Sequence, residues 1–223
     1  MLALLHTSPV HVPVFDTLRD EEAPGLTMNH LVRPELLDRA RAQGPDSVAK
    51  DLEADLAGAA RGGARAALCT CSTIGSVAEA AGAALGLPVL RVDRPMAATA
   101  VATGPRIAVL AALESTLVPT EDLIRQEAAG AGRGISVRTV LVPDAWEHFE
   151  AGDHDGYLTA VASAAREIRD ADVIVLAQAS MAPAADGLDV GVPVLAGPRT
   201  GLRAAAQLAT GDTCFPGSRA VQG

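Results

Sequence analysis

The sequence has few aromatic residues, few cysteines and no long run of apolar residues. Only 2% of its 223 residues are Phe, Trp or Tyr although 49% are hydrophobic, so its core must consist mainly of small and aliphatic side chains. No run reaches the roughly 18 apolar residues that a membrane-spanning helix needs. Three cysteines cannot form a full disulfide framework. We therefore expect a cytoplasmic protein whose thiols stay reduced.

Basic residues are also scarce relative to acidic ones. The chain has 18 Lys and Arg against 27 Asp and Glu, which gives a net charge of −9 at pH 7. Binding to nucleic acid or to an anionic membrane depends on clustered Lys and Arg. We therefore expect neither of these as a partner. The length is sufficient for a sizeable core in one large domain or two small ones.

A repeated unit runs along the chain: a short apolar run, a small polar tip and an Ala-rich segment with helical apolar spacing. The apolar runs predict strands at residues 2–5, 64–68, 88–92, 107–110, 135–142, 173–176 and 193–195. The Ala-rich segments predict helices at residues 34–61, 77–85, 120–129, 157–169 and 202–208. Strands that alternate with helices pair in parallel through right-handed crossovers. The pattern therefore predicts an α/β fold with helices on both faces of the sheet.

The polar tips follow predicted strands, and ligands of parallel α/β sheets bind beyond the carboxyl ends of the strands. These tips are Thr7-Ser8, Cys71-Ser72-Thr73, Ser115-Thr116 and Gln178-Ala179-Ser180. The second and fourth tips lie nearly half the chain length apart, which predicts two similar halves that face one another. The predicted first lobe comprises residues 1–97 and 201–223, and the predicted second lobe comprises residues 98–200.

Cys71 is the most informative residue of these tips. Its thiol is predicted to lie at the start of a helix, where backbone N–H groups favour a thiolate and can bind a carboxylate. The alternative is a small buried apolar side chain in a strand-to-helix turn. The following Ser, Thr and Gly favour the functional interpretation. A catalytic Cys71 predicts a reactive thiol with a pKa below the usual range, whereas a binding protein does not need the thiol.

The other candidate groups have two interpretations each. Cys69 and Cys214 offer too few ligands for a closed zinc site, so we expect structural roles for both and no metal. His6 and His11 lie near the first tip and could act as an acid or base, or they could be satisfied structural side chains. The Ser and Thr residues of the tips could bind a substrate carboxylate or simply cap helices.

A family resemblance follows from these segments. Residues 66–70 with Cys71-Ser72-Thr73 resemble the strand and the first catalytic motif, Cys-Asn-Thr, of the cofactor-independent aspartate/glutamate/hydantoin racemase superfamily. Residues 106–111 with Ser115-Thr116, residues 172–176 and residues 191–195 resemble further segments of that superfamily in the same order. The resemblance covers nearly the whole chain. It implies two pseudo-symmetric α/β lobes, each a short parallel sheet flanked by helices, with the active-site cleft between them.

Racemases of that superfamily use two cysteines, one in each lobe, on opposite faces of the substrate carbon. One thiolate removes the α-proton and the other thiol delivers a proton to the far face. This chain departs from the pattern, because Gln178 or Ala179 stands where the second cysteine is expected. Neither side chain is an acid or a base. Within the superfamily, arylmalonate decarboxylases work with one cysteine, and maleate isomerase-like members add a thiolate to an alkene.

The resemblance therefore implies a cofactor-independent isomerase or racemase-like enzyme that acts on the α-carbon of a small carboxylate through Cys71, without a metal. Gln178 is expected on the opposite face as a hydrogen-bond donor. The predicted substrate-binding residues are Thr7, Ser8, Ser72, Thr73, Thr116, Gln178 and Ser180. Two alternatives stay open, namely a one-thiol decarboxylase or lyase of the arylmalonate decarboxylase type and a non-catalytic carboxylate-binding module. The sequence also leaves a homo-oligomer open.

Overall fold

The computed structural model describes residues 1–211, in which the chain forms two compact units. One unit comprises Met1–Arg91 and the chain from Arg199 onward, and the other comprises Val92–Pro198. Each contains a four-stranded sheet in which every strand pair is parallel. The predicted α/β fold with two lobes is therefore confirmed. Cys214 and the rest of the predicted first lobe beyond residue 211 lie outside the described residues.

The first lobe has the strand order β2-β1-β3-β4. Its strands are β1 (Leu2–His6), β2 (Met28–Val32), β3 (Ala66–Cys69) and β4 (Val89–Arg91). Its helices before the second lobe are α1 (His11–Glu22), α2 (Pro34–Gln43), α3 (Ala49–Arg61) and α4 (Ser72–Leu85), with a 3-10 helix at Pro45–Val48. Strand β1 is buried along its whole length because it lies between two neighbouring strands and is covered on both faces.

The second lobe has the equivalent order β6-β5-β7-β8. Its strands are β5 (Arg106–Ala111), β6 (Ser136–Leu141), β7 (Val173–Leu176) and β8 (Val194–Ala196). Its helices are α5 (Arg94–Thr103), α6 (Leu117–Gly130), α7 (Ala145–Glu150) and α8 (His154–Arg166), with 3-10 helices at Glu114–Thr116 and Ala179–Ala185. The last helix, α9 (Gly197–Thr210), leads back to the first lobe. Aliphatic side chains pack on both faces of this sheet.

Two local predictions are wrong. Residues 34–61 are not one helix, because the chain turns at Gly44, which has φ +87°, before Pro45 starts a separate 3-10 helix. Helix α4 starts at Ser72 rather than at residue 77, so the polar tip is itself helical. Residues 94–103, for which no helix was predicted, form helix α5. In the part of the chain that the structure describes, no helix combines the length and the apolar character that a bilayer crossing requires.

Glu22 ties the end of α1 to α9. It is only 8% exposed, and its carboxylate oxygens accept hydrogen bonds from the guanidinium groups of Arg199 and Arg203. Arg199 also reaches the exposed Glu21, with 2.8 Å between Nη2 and Oε2. The hydrogen bond from Arg203, followed by that from Arg199, holds the pKa of Glu22 below its usual range despite the burial. A charged carboxylate therefore stabilises the packing of these two helices.

The Glu22→Gln variant is expected to have a free energy of unfolding about 1–2 kcal/mol lower than the wild type at neutral pH, since both arginines are partly exposed and solvent screens the interaction. A carboxylate whose folded pKa is depressed adds stability above its unfolded pKa and loses it as the pH falls through the folded value. The difference should therefore vanish in acid. Urea unfolding at several pH values measures it. Glu21→Gln is the control, and an equal effect there would contradict the assignment to Glu22.

Candidate active site

The carboxyl end of β3 leads through Thr70 to Cys71, which directly precedes α4. Cys71 has an extended backbone, with φ −111° and ψ 115°, as expected for a residue that caps a helix. Its thiol is in hydrogen-bond contact with the hydroxyls of Thr7 and Thr73 and with the backbone N–H groups of Thr73 and Ile74. The structure therefore brings together three of the predicted site residues, Thr7, Cys71 and Thr73, within one lobe.

The ionisation of Cys71 differs from the expectation. Burial raises the pKa of its thiol, and the hydrogen bonds from Thr7, Ile74 and Thr73 lower it without outweighing the burial. The prediction of a depressed pKa is therefore wrong, although the predicted helix N–H donors are present. Desolvation disfavours the charged form of any acid. The resting group is the protonated thiol.

The remaining predicted polar residues of the two lobes occupy helix starts and loops. Ser72 begins α4 and is buried, while Ser8 is half-buried in the loop between β1 and α1. Thr116 is 3% exposed and directly precedes α6, but its side chain makes no capping hydrogen bond to that helix. Capping therefore does not explain Thr116.

The strand registers identify the position in the second lobe that corresponds to Cys71. In the first lobe Leu5 pairs with Cys69, and the N–H of Thr70 donates to the carbonyl of Leu5 at 3.0 Å. In the second lobe Leu110 pairs with Leu176, and the N–H of Ala177 donates to the carbonyl of Leu110 at 2.9 Å. The next residue is Cys71 in one lobe and Gln178 in the other. Of the two registers left open by the sequence, the structure therefore selects Gln178.

The carboxamide of Gln178 is oriented by two backbone donors. Its Oε1 accepts hydrogen bonds from the N–H of Ala112 at 2.6 Å and from the N–H of Leu113 at 3.0 Å. Because both partners are donors, the atom between them must be the oxygen. The Nε2 group then points its two N–H bonds elsewhere, and no partner for it exists within residues 1–211. Gln178 can donate a hydrogen bond there, but it cannot transfer a proton.

Ser180 and Tyr157 form a second polar contact in this lobe. The hydroxyl oxygens of the two residues lie 2.7 Å apart. Tyr157 is 1% exposed, and burial raises its pKa to about 12, so its phenol stays neutral. The Ser180 hydroxyl is therefore held by Tyr157 at the start of the 3-10 helix Ala179–Ala185, which stands where the first lobe has the long helix α4.

The two histidines near the first tip are neutral. Burial is the main reason that the pKa of His6 falls to about 3 and that of His11 to about 4. His6 is fully buried, and its ring nitrogens lie 2.8 Å from the hydroxyl of Thr70 and 2.8 Å from Nδ1 of His30. Both nitrogens are engaged, so His6 does not replace the missing second thiol. Neither Thr70 nor His30 was predicted as part of this cluster, and His30 belongs to the unpredicted edge strand β2.

Arg91 is another buried polar residue that the sequence analysis did not single out. It ends β4, is 2% exposed, and its side chain crosses the second turn of α4 at Gly75. A Cβ atom on Gly75 would lie 2.7 Å from Cγ and 2.8 Å from Nε of Arg91. Glycine is therefore needed here for space. The close contact fixes α4 against β4 shortly after Cys71.

The Gly75→Ala variant is expected to lower the free energy of unfolding by about 1–3 kcal/mol, because Arg91 or the helix must move. The matched control is Gly58→Ala in α3, where the nearest atom to a new Cβ is 3.9 Å away. An unobstructed Gly-to-Ala change inside a helix stabilises by up to about 1 kcal/mol. Denaturant unfolding of both variants should thus give effects of opposite sign. Stabilisation of both would contradict the steric argument.

Metal ligands do not cluster in the residues that the structure describes: no group of three or more His, Cys, Asp or Glu side chains there could hold a metal ion. The candidate site of the first lobe therefore consists of the Cys71 thiol and its hydroxyl and N–H donors. The corresponding position of the second lobe holds the carboxamide of Gln178.

Comparison with known proteins identifies the family and the fold of the chain. The family model of Asp/Glu/hydantoin racemases matches residues 12–205. Among solved structures, the aspartate racemase of Picrophilus torridus has a TM-score of 0.67 at 14% identity, covering 95% of this chain and 94% of that one. A glutamate racemase of Bacillus anthracis has a TM-score of 0.67 at 15% identity, with coverages of 95% and 82%.

The structure of an arylmalonate decarboxylase is also similar, with a TM-score of 0.57 at 16% identity, covering 97% of this chain and 95% of that one. No curated protein matches the chain. At identities this low, the solved structures show a shared fold and nothing finer. The family resemblance noted in the sequence is confirmed by the family match.

Proposed function

The chain belongs to the Asp/Glu/hydantoin racemase family, and from that premise we propose a cofactor-independent, isomerase or racemase-like enzyme that transfers a proton at the α-carbon of a small carboxylate. Cys71 is its one catalytic thiol. The proposed setting is the cytoplasm, where thiols stay reduced.

The observation that carries the proposal is the contrast between two equivalent positions. Cys71 has four hydrogen-bond contacts that suit a thiol passing between its protonated and charged forms. Gln178, at the corresponding position, has its oxygen held by two backbone N–H groups and carries no group that titrates near neutral pH. Proton transfer therefore involves one thiol.

In the proposed reaction Cys71 first gives its thiol proton to water, and the resulting thiolate removes the α-proton. The C–H bond breaks, and its electron pair moves onto the substrate carboxylate to give an enediolate. The same thiol then returns a proton to the same face of the carbon, which exchanges the α-hydrogen and restores the substrate, whereas slower protonation of the opposite face by water gives the isomer. Fixed hydrogen-bond donors stabilise the charge that develops on the carboxylate oxygens. The proposed donors are the hydroxyls of Thr7, Ser8, Ser72, Thr73, Thr116 and Ser180 and the Nε2 group of Gln178.

A second candidate, a one-thiol decarboxylase or lyase, is favoured by the raised pKa of Cys71. A thiol that rests in its protonated form is ready to donate a proton. In this reaction the bond between the α-carbon and a second carboxylate breaks, carbon dioxide leaves, and the electron pair forms the enediolate. Cys71 then protonates the carbon, and water returns a proton to the thiolate.

Proton NMR in heavy water over a panel of amino acids, hydantoins, malonates and maleate distinguishes these possibilities. We expect deuterium to enter the α-carbon much faster than the configuration inverts. Release of carbon dioxide from a malonate would establish the decarboxylase instead. Inversion as fast as exchange would contradict a one-thiol mechanism. Saturable binding of a carboxylate with no exchange or turnover would identify a non-catalytic binding module.

A further inference from the structure

A buried chain of hydrogen bonds lies behind Cys71, on the opposite face of the sheet. The hydroxyl oxygen of Thr70 lies 3.2 Å from the carbonyl oxygen of Leu5 and 2.8 Å from Nδ1 of His6. Nε2 of His6 lies 2.8 Å from Nδ1 of His30. Each ring nitrogen of His6 therefore has a hydrogen-bond partner, whichever of the two carries the proton.

This chain joins the same two strand ends that carry the candidate site. His6 and Thr7 are neighbours at the end of β1, and Thr70 and Cys71 are neighbours just past the end of β3. Successive side chains of a strand point to opposite faces. His6 and Thr70 therefore meet on one face, while Thr7 and Cys71 meet on the other.

The second lobe provides an internal control for what the fold requires. By the strand registers, the positions of His6 and Thr70 correspond to Ala111 and Ala177. The main-chain bond that joins the two strand ends forms equally well there, at 2.9 Å from Ala177 N to Leu110 O. The ends of a parallel strand pair of this kind therefore stay hydrogen-bonded without the polar side chains.

Burying an imidazole and a hydroxyl is unfavourable unless both are hydrogen-bonded, and even then it adds little to stability. The alanines of the second lobe show that the fold does not require a buried imidazole and hydroxyl at these positions. The polar pair occurs in the lobe that has the thiol and is replaced by alanine in the lobe that has Gln178. A buried polar pair where alanine would suffice is expected mainly at functional sites.

We propose that His6 and Thr70 are positioning residues that hold the ends of β1 and β3 in the register at which the Thr7 hydroxyl reaches the Cys71 thiol. This inference rests on the proposed role of Cys71. Neither residue touches the substrate. Their contribution is to keep the donor of Thr7 in place when the thiol becomes charged.

The surroundings of His6 are consistent with a fixed, uncharged ring. Helix α1 contributes Phe15 and His11, whose ring centroids lie 5.6 Å and 6.1 Å from that of His6. Strand β2 contributes His30, whose ring lies nearly parallel to that of His6 with 5.1 Å between the centroids, and whose Nε2 lies 3.5 Å from Oδ1 of Asp16. No carboxylate contacts His6 itself in the described chain, so nothing there offsets the loss of hydration that a charged ring would suffer.

The test is the rate of alkylation of Cys71 by iodoacetamide as a function of pH, which requires no substrate. The double variant His6→Leu/Thr70→Val removes both partners and keeps their volume. We expect it to stay folded and to alkylate about tenfold more slowly than the wild type at a given pH, because the thiolate loses one charge-assisted hydrogen bond. Thr70→Ser, which keeps the hydroxyl, should restore the wild-type profile.

Thr120→Val is the matched control, since Thr120 is fully buried in the second lobe and its hydroxyl has no partner there. It should leave the profile unchanged. A folded double variant with the wild-type profile would overturn the inference. Should that variant fail to fold, the single variant Thr70→Val decides: slower alkylation of Cys71 is expected, and a wild-type profile would overturn the inference. A chain without turnover on any substrate would refute the proposed function while the alkylation profile still tested the positioning.

Discussion

The Cys71→Ser variant is expected to lose α-proton transfer by a factor of about 10³ while it keeps its fold and its affinity for a carboxylate. Serine can keep the contacts with Thr7, Thr73 and the N–H groups of α4 that surround the thiol. Its hydroxyl is a far weaker acid than a thiol, so the charged form needed for proton transfer is lost. Deuterium exchange by NMR measures the rate, and calorimetric titration with the same carboxylate measures the affinity.

Cys69 provides the control for that experiment. It lies two residues away, is 1% exposed, and its thiol is 3.5 Å from the carbonyl oxygen of Cys71. It packs in the apolar cluster on the α2, α3 and α4 side of the sheet. Cys69→Ala should therefore lower the free energy of unfolding and leave the rate of deuterium exchange at the substrate nearly unchanged. An exchange rate that falls equally in both variants, or one that survives in Cys71→Ser, would remove Cys71 from the proposed mechanism.

The Gln178→Cys variant is expected to gain inversion of configuration, with a rate at least about 10²-fold above that of the wild type. In the two-thiol pattern of the family, a second cysteine delivers a proton to the far face of the carbon. By register Gln178 is the counterpart of Cys71 in the second lobe, so we expect a cysteine there to supply the missing acid. Chiral chromatography of a substrate that the wild type exchanges much faster than it inverts would detect the change.

The Gln178→Ser variant is the control for the new thiol, because it also releases the N–H groups of Ala112 and Leu113 but adds no acid of suitable strength. Fast inversion should be absent there. It should also disappear when Cys71→Ser is combined with Gln178→Cys, since only one face of the carbon then has a thiol. Inversion as fast as exchange by Gln178→Ser or by wild type would show that another group already serves the far face.

Most strands were predictable because each central strand is a short, almost wholly apolar run. β1, β3, β5 and β7 are buried between neighbours on both sides, and this leaves a clear signal in the sequence. The edge strand β2 is only half-buried and contains Asn29 and His30, so it resembles a loop in composition. Strand β2 and helix α1 were not predicted because neither has a clear apolar periodicity, and both form through contacts with residues that are distant in sequence.

In the site, the strand-to-helix position of Cys71 followed from local pattern alone. The matching position in the second lobe did not, because a one-residue shift would place Ala179 there instead of Gln178. Only the pairing of Leu110 with Leu176, together with the bond from Ala177, settles the register. The direction of the Cys71 pKa shift was also beyond the sequence, since burial outweighs hydrogen-bond donors whose presence could be foreseen.

The sequence by itself determined the α/β class, the two-lobed plan, the family and the location of a lone tip cysteine, because all of these depend on residue order and on periodicity along the chain. The tertiary structure decided which side chains are in contact at the candidate site. The contact of His6 with Thr70 spans 64 residues, and that of Gln178 with Ala112 spans 66. Such contacts form only when parallel strands align, and their energies depend on burial, which is a property of the whole fold.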